Sequence, residues 1–226
     1  MKKLAFFVLF FAFNSFGWSD LTVSYMIVNT YKTLPEGMKL YLDNNRKEIL
    51  KGAESLKEEN FSSPAEVQKF ICSQKKKIEK MIKDRKKVKH IAFELGKLFK
   101  AIAILSYPFS FEDSFYSKDY ENYTAYKLKK FVFAFKRIKK ENLKANGCEI
   151  LVKSLYRESR SLREKIMNDY SIYESSSNFD DLSAAFGSGS LLFSDTCFAM
   201  SAVAAEIWVN VNGKLKGCLI VERKTK

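Results

Sequence analysis

Apolar residues recur every three to four positions through most of this chain, and polar caps, prolines and glycines divide the pattern into helices. Leu21, Tyr25, Val28 and Tyr31 fall on one helical face behind Asp20 as a cap, which predicts a first helix within residues 18–34. Pro35-Glu36 opens a second helix through Leu42; residues 44–51 continue it, and Gly52 is its expected stop. Residues 57–62 are polar and read as a loop. Ser63-Pro64-Ala65-Glu66 then combines an N-cap Ser, a Pro in the first helical position and a Glu at the third, a capping box. Val67, Phe70, Ile71, Ile78, Met81 and Ile82 form the apolar stripe of the helix that follows, with Lys69, Lys75, Lys76, Lys77, Lys80 and Lys83 largely off it.

The basic run 83–89 predicts a helix–helix connection, and residues 91–105 a central helix. Pro108 fixes its own φ, lacks an N–H and disfavours α geometry before it, so this helix ends near 106–107. Residues 109–118 form an aromatic loop. Residues 119–140 read as a helix carrying Tyr123, Tyr126, Phe131, Phe133 and Phe135, broken at Asn146-Gly147. A long helix over 148–172 carries Ile150, Leu151, Leu155, Leu162, Ile166 and Tyr170. Residues 175–178 are a loop and cap. A last, mostly helical stretch runs over 179–212 with its weak point at 187–189, and Asn212-Gly213 ends it. Within the tail 214–226, the stretch 218–221 reads as a short strand or extended chain. No repeat, low-complexity block or long linker divides the chain, so the expectation is one all-α helical bundle over residues 18–213.

Composition agrees: three Pro and nine Gly in 226 residues, with Leu, Phe, Ile, Lys, Glu and Ala abundant, favour long helices over sheet. The amino terminus changes the picture. Met1-Lys2-Lys3 is a basic n-region, residues 4–13 are ten apolar residues, and Ser15 and Gly17 are small residues at −3 and −1 of a cut before Trp18. These are the three parts of a secretory signal peptide over residues 1–17. As a membrane span the run is short, since a helix needs roughly 20 apolar residues to cross. Removing Lys2 and Lys3 lowers the formal charge from +13 to +11. The expected location is therefore periplasmic or extracellular. Four cysteines, Cys72, Cys148, Cys197 and Cys218, permit two disulfides in three pairings, or buried thiols. The lone histidine, His90, ends a basic run and reads as a surface or helix-end residue.

The order of several features resembles the zinc-dependent phospholipase C family and the related single-strand-specific nucleases. Trp18 falls at the expected cut. Leu34-Pro35 opens the second helix and Gly52-Ala53 follows. Gly96, Lys100, Ile104, Pro108 and Ser110 keep the spacing of a central G-x-x-x-H-x-x-x-D-x-x-x-P-x-H helix, and Tyr123 and Lys127 keep the four-residue spacing of a later ligand pair. Residues 202–209 are similar to the closing helix. The resemblance implies an α-helical fold, phosphoester hydrolysis and three zinc ions, one of them held by the amino group and carbonyl of the first Trp. It also implies that the ligands are gone. Lys100, Ile104 and Ser110 stand for the central His, Asp and His; Tyr123 and Lys127 stand for the later His and acid. No His lies near 22–23, and Glu54 is the only acid close to Gly52-Ala53.

Catalytic zinc sites take about three imidazole, thiolate or carboxylate ligands per ion and leave a position for water. One histidine cannot supply a trinuclear centre, and without zinc no bound water is acidified. The expectation is a catalytically inactive member with no zinc, retained as a binding or structural protein of the envelope. The alternatives are a phosphodiesterase with a rebuilt site and an unrelated basic helical protein. Lys100 and Lys127 suggest ammonium groups in the space of lost zinc ions, each paired with a carboxylate, but two lysines in one dry pocket repel and desolvate, so both charges are expected to reach water. The basic clusters at 75–89 and 127–140 suit anionic lipid or an acidic envelope polymer, or serve solubility alone. No nucleic-acid motif accompanies them.

Overall fold

The computed structural model describes residues 17–134, 136–143 and 147–222. The expected signal peptide, up to residue 16, lies outside them, as do Phe135 and Asn146.

The described residues are mostly helical, with no strand among them; an isolated parallel bridge joins Ile138 to Val221. The helices are α1 (Asp20–Thr33), α2 (Glu36–Leu42), α3 (Arg46–Glu54), α4 (Pro64–Lys83), α5 (Val88–Ser106), α6 (Phe115–Lys127), α7 (Gly147–Tyr173) and α8 (Ala184–Asn210). Short 3-10 turns occupy Asp43–Asn45, Glu58–Asn60, Leu128–Lys130, Lys140–Leu143 and Ser176–Asn178. α5 packs against α3, α4, α7 and α8, and α8 packs against α7, α1 and α4. Every residue of α5 from Leu98 to Ser106 is buried, Lys100 included. α8 is long and apolar enough to cross a bilayer, but 89% of its most apolar window is buried inside the bundle, where it is the second core helix.

Most boundaries follow the caps. Ser63 accepts from the Glu66 backbone and Pro64 starts α4, while the Glu66 carboxylate closes back onto the Ser62 N–H at 2.8 Å. α5 ends at Ser106, ahead of Pro108. The cap of α1 is Ser19, whose hydroxyl accepts from Thr22 N at 3.1 Å; Asp20 is in the first turn instead.

Four further expectations are corrected. The face of α1 carrying Leu21, Tyr25 and Val28 is exposed; the buried face is Thr22, Val23, Met26, Ile27, Asn29, Thr30 and Thr33. Small hydroxyl residues suit this contact, since Thr33 Oγ1 and Ser201 Oγ pair at 2.6 Å and Thr30 Oγ1 donates to Cys197 O at 3.4 Å. Gly52 is not a stop: α3 runs through it, because a Cβ there would lie 1.9 Å from Phe93 O, and one at Gly96 would lie 1.9 Å from Ile49 O. These glycines set the α3–α5 approach.

The helix predicted over 119–140 starts earlier, at Phe115 inside the expected loop 109–118, where Ser114 caps it, and stops at Lys127. After the Leu128–Lys130 turn Phe131 is extended and packs against Phe186 and Phe193, and Ala134 N donates to Ser194 Oγ at 3.0 Å. The alternation of Phe131, Phe133 and Phe135 has the period of an extended chain. Finally, α8 passes unbroken through Gly187 and Gly189. The second glycine makes room for Tyr120 Oη and the Phe131 ring, which a Cβ would approach within 2.9 and 3.0 Å.

The tail is docked as far as Glu222. Cys218 and Ile220 join Leu143, Phe198, Ala202 and Ala205 in a small second core. Leu219 N donates to Thr33 O at 3.2 Å, and Glu36 N donates to Lys216 O at 2.9 Å.

Candidate functional site at Trp18

Trp18 is seated before α1 on the end of α5. Its ring meets Tyr107 edge-on at 5.4 Å, and Nε1 donates to Ser106 Oγ at 3.0 Å. Gly17 has φ +140°, a conformation open to glycine. At the first residue of α1, Asp20 Oδ1 accepts from Lys100 Nζ at 2.9 Å, and Lys57 Nζ stands 3.7 Å from Oδ2. Burial raises the Asp20 pKa, but Lys100 and Lys57 outweigh it and hold the carboxyl below its ordinary value.

Glu58 closes the site from the turn after α3. Its Oε1 accepts from Phe111 N at 2.5 Å, while the buried Oε2 has no hydrogen-bond partner. A Cβ built on Gly17 would lie 3.4 Å from that same oxygen. Burial pushes the Glu58 carboxyl up to about 7; the Phe111 N–H and the Lys100 charge pull it down, and Glu121 adds to the rise.

The family-pattern positions separate into two groups. Lys100 belongs to the Trp18 site through Asp20. Ile104 is core, and Ser110 Oγ donates to the carbonyls of Ile104 and, at 2.9 Å, Tyr107, capping the end of α5. Tyr123 belongs to an aromatic stack with Tyr120 and Phe179, where burial pushes its phenol up to about 12. Lys127 Nζ pairs with Asp181 at 2.6 Å, and Lys130 joins the same carboxylate.

The two lysines thus end on different carboxylates. The expectation that both charges reach water is corrected: their side chains are only 9% and 12% exposed, since each stem is packed and each ammonium finds an anion. Glu54, the acid close to Gly52-Ala53, is exposed, and His90 is exposed in the first turn of α5. A paired ammonium, an aliphatic chain and a hydroxyl already spent on carbonyls do not suit a zinc ion. Among the described residues, no three His, Cys, Asp or Glu side chains are grouped to hold a metal.

Sequence reasoning missed Glu58, which stood in a polar run with nothing to mark it as buried. It also placed Lys75 on the solvated face, whereas Lys75 bridges Glu206 of α8 at 2.8 Å and Glu79 at 3.1 Å. The α4–α5 connection is as basic as expected, with Lys83, Arg85, Lys86, Lys87 and Lys89 all exposed. Comparison with protein-family models, with curated proteins and with solved structures finds no match to this chain.

Proposed function

We propose that this chain is an exported helical protein related to the zinc-dependent phospholipase C and nuclease family, without the zinc chemistry, and that it acts by binding an anionic lipid surface. The observation that carries the reading is the Lys100–Asp20 pair at 2.9 Å, beside Trp18, at a position where the resemblance implies a zinc ligand. A fixed ammonium there neither acidifies water nor offers an open coordination position.

Export is supported by the n-region, apolar run and small-residue cut before Trp18. Cleavage after Gly17 would free an α-ammonium on Trp18, the neighbour of the residue whose Cβ would lie 3.4 Å from the unpartnered Oε2 of Glu58, and so offer that carboxylate a cation. The exposed cations between α4 and α5 give the surface its sign, and an exported protein meets lipid headgroups readily.

The test is co-sedimentation with phosphatidylglycerol and with phosphatidylcholine vesicles at low and high salt. The reading expects binding to the anionic vesicles only, lost in high salt and weakened by K86E/K87E. Equal recovery with both lipids, or none with either, overturns the binding role.

A further inference from the structure

Cys72 on α4 and Cys148, the second residue of α7, bring their sulfurs to 3.7 Å across a separation of 76 residues. Cys72 lines a recess of about 490 Å³ between the two helices. Lys69, Ser73 and Lys76 line it from α4, and Glu149, Val152 and Lys153 from α7. The two thiols differ in setting: Cys72 is half-buried and borders the recess, whereas Cys148 is buried behind it. Cys197 and Cys218 are buried elsewhere, Cys197 against Met26 O and Cys218 in the small second core.

We propose that Cys72 and Cys148 form a thiol–disulfide exchange site, with Cys72 as the attacking sulfur, Cys148 as the resolving sulfur, and a small acidic disulfide as the oxidant. Three features assign the roles. Only Cys72 can be reached from the recess. Cys148 lies directly behind it, placed to attack a mixed disulfide on Cys72. Lys69, Lys76 and Lys153 outnumber Glu149 around the recess, which favours a thiolate at its border and an anionic partner.

Electrostatics support the same division. The hydrogen bond with Cys148 lowers the Cys72 thiol to about 7, with Lys75 aiding, against burial and the charges of Glu149 and Glu206. That hydrogen bond and burial push Cys148 up.

The chemistry balances in two steps. The Cys72 thiolate attacks one sulfur of R–S–S–R; the other leaves as RS⁻ and takes a proton, giving Cys72–S–S–R. Cys148 then releases its proton to the solvent, attacks Cys72 Sγ and expels a second RS⁻, which is protonated in turn. Two protein thiols are oxidised by two electrons to one disulfide, and R–S–S–R is reduced to two RSH. The second step closes the sulfurs from 3.7 Å to the bonded separation of about 2 Å. The product ties α4 to the first turn of α7.

The experiment uses the full chain, reduced and then exposed at pH 7 to glutathione disulfide or to cystamine, an anionic and a cationic probe. Peptide mapping of the wild type should recover a Cys72–Cys148 disulfide. Cys148→Ala should trap glutathione on Cys72, and Cys72→Ala should yield neither product. Without any variant, Cys72 should alkylate about tenfold faster at pH 7 than an ordinary thiol, and glutathione disulfide should outpace cystamine. Oxidation that maps to Cys197 or Cys218, or Cys72 reacting no faster than an ordinary thiol, overturns the site. Cystamine reacting as fast or faster overturns the acidic substrate class.

Discussion

Replacing Glu58 by Gln is the sharpest perturbation of the Trp18 site. In the chain that continues through Gly17, burial lifts the Glu58 carboxyl from 4.5 to about 7, and Oε2 has no partner. The folded state then holds a proton that the unfolded state has released. Its contribution to stability is complete below pH 4.5, falls as pH rises toward 7, and is flat above. At ~1.4 kcal/mol per tenfold change, the loss across that window is about 3 kcal/mol. A glutamine in its place can still accept from Phe111 N and has no charge to desolvate. In urea titrations at several pH values between 4 and 9, the unprocessed wild type should lose stability across pH 4.5–7 relative to E58Q. A chain beginning at Trp18 should lose much less, because its own ammonium stabilises the carboxylate. If wild type and E58Q show the same pH slope in the unprocessed chain, the buried, unpartnered carboxylate is not there. If the slope differs but processing leaves it unchanged, the pairing with the new amino terminus is wrong.

The other predictions concern the packing around the same site. Gly52→Ala and Gly96→Ala each force a methyl against a backbone carbonyl 1.9 Å away, so each should cost about 3 kcal/mol or more in chemical denaturation. Trp18→Ala removes a fully buried indole and the Ser106 bond; a loss of about 3–5 kcal/mol is expected, read as a lowered urea midpoint. Lys100→Met leaves Asp20 largely in water, so the cost should stay within about 1 kcal/mol. The same change removes a cation that lowers Glu58, so its titration, followed by the pH dependence of stability, should move upward.

The helical class was legible because its signals are local. Ser63-Pro64 starts α4, Pro108 limits α5, and Asn212-Gly213 ends α8 with Gly213 N donating to Trp208 O at 2.7 Å. What was not legible depends on partners far along the chain. α1 has apolar residues on both sides, and only its contact with Ser201 and Cys197 selects the threonine face. Gly52 resembles a stop in sequence, yet its meaning lies in Phe93 on another helix. Lys100, Ile104 and Ser110 were found by their spacing, but the identity of the anion at Lys100 was not, because Asp20 is 80 residues away. Glu58 carried no signal in sequence: a carboxylate in the run Lys57-Glu58-Glu59-Asn60 looks solvated until Phe111 and Gly17 close over it.

The proposal of a phospholipase C-like chain without zinc chemistry is tested most directly by phosphoester hydrolysis with zinc titrated into a purified chain beginning at Trp18. A soluble aryl phosphodiester and mixed phospholipid vesicles serve as substrates, with bound metal measured on the same samples. The account predicts no zinc-dependent turnover above the buffer rate and no stoichiometric zinc retained after gel filtration. Turnover that rises with zinc and saturates at a fixed number of ions per chain would contradict it.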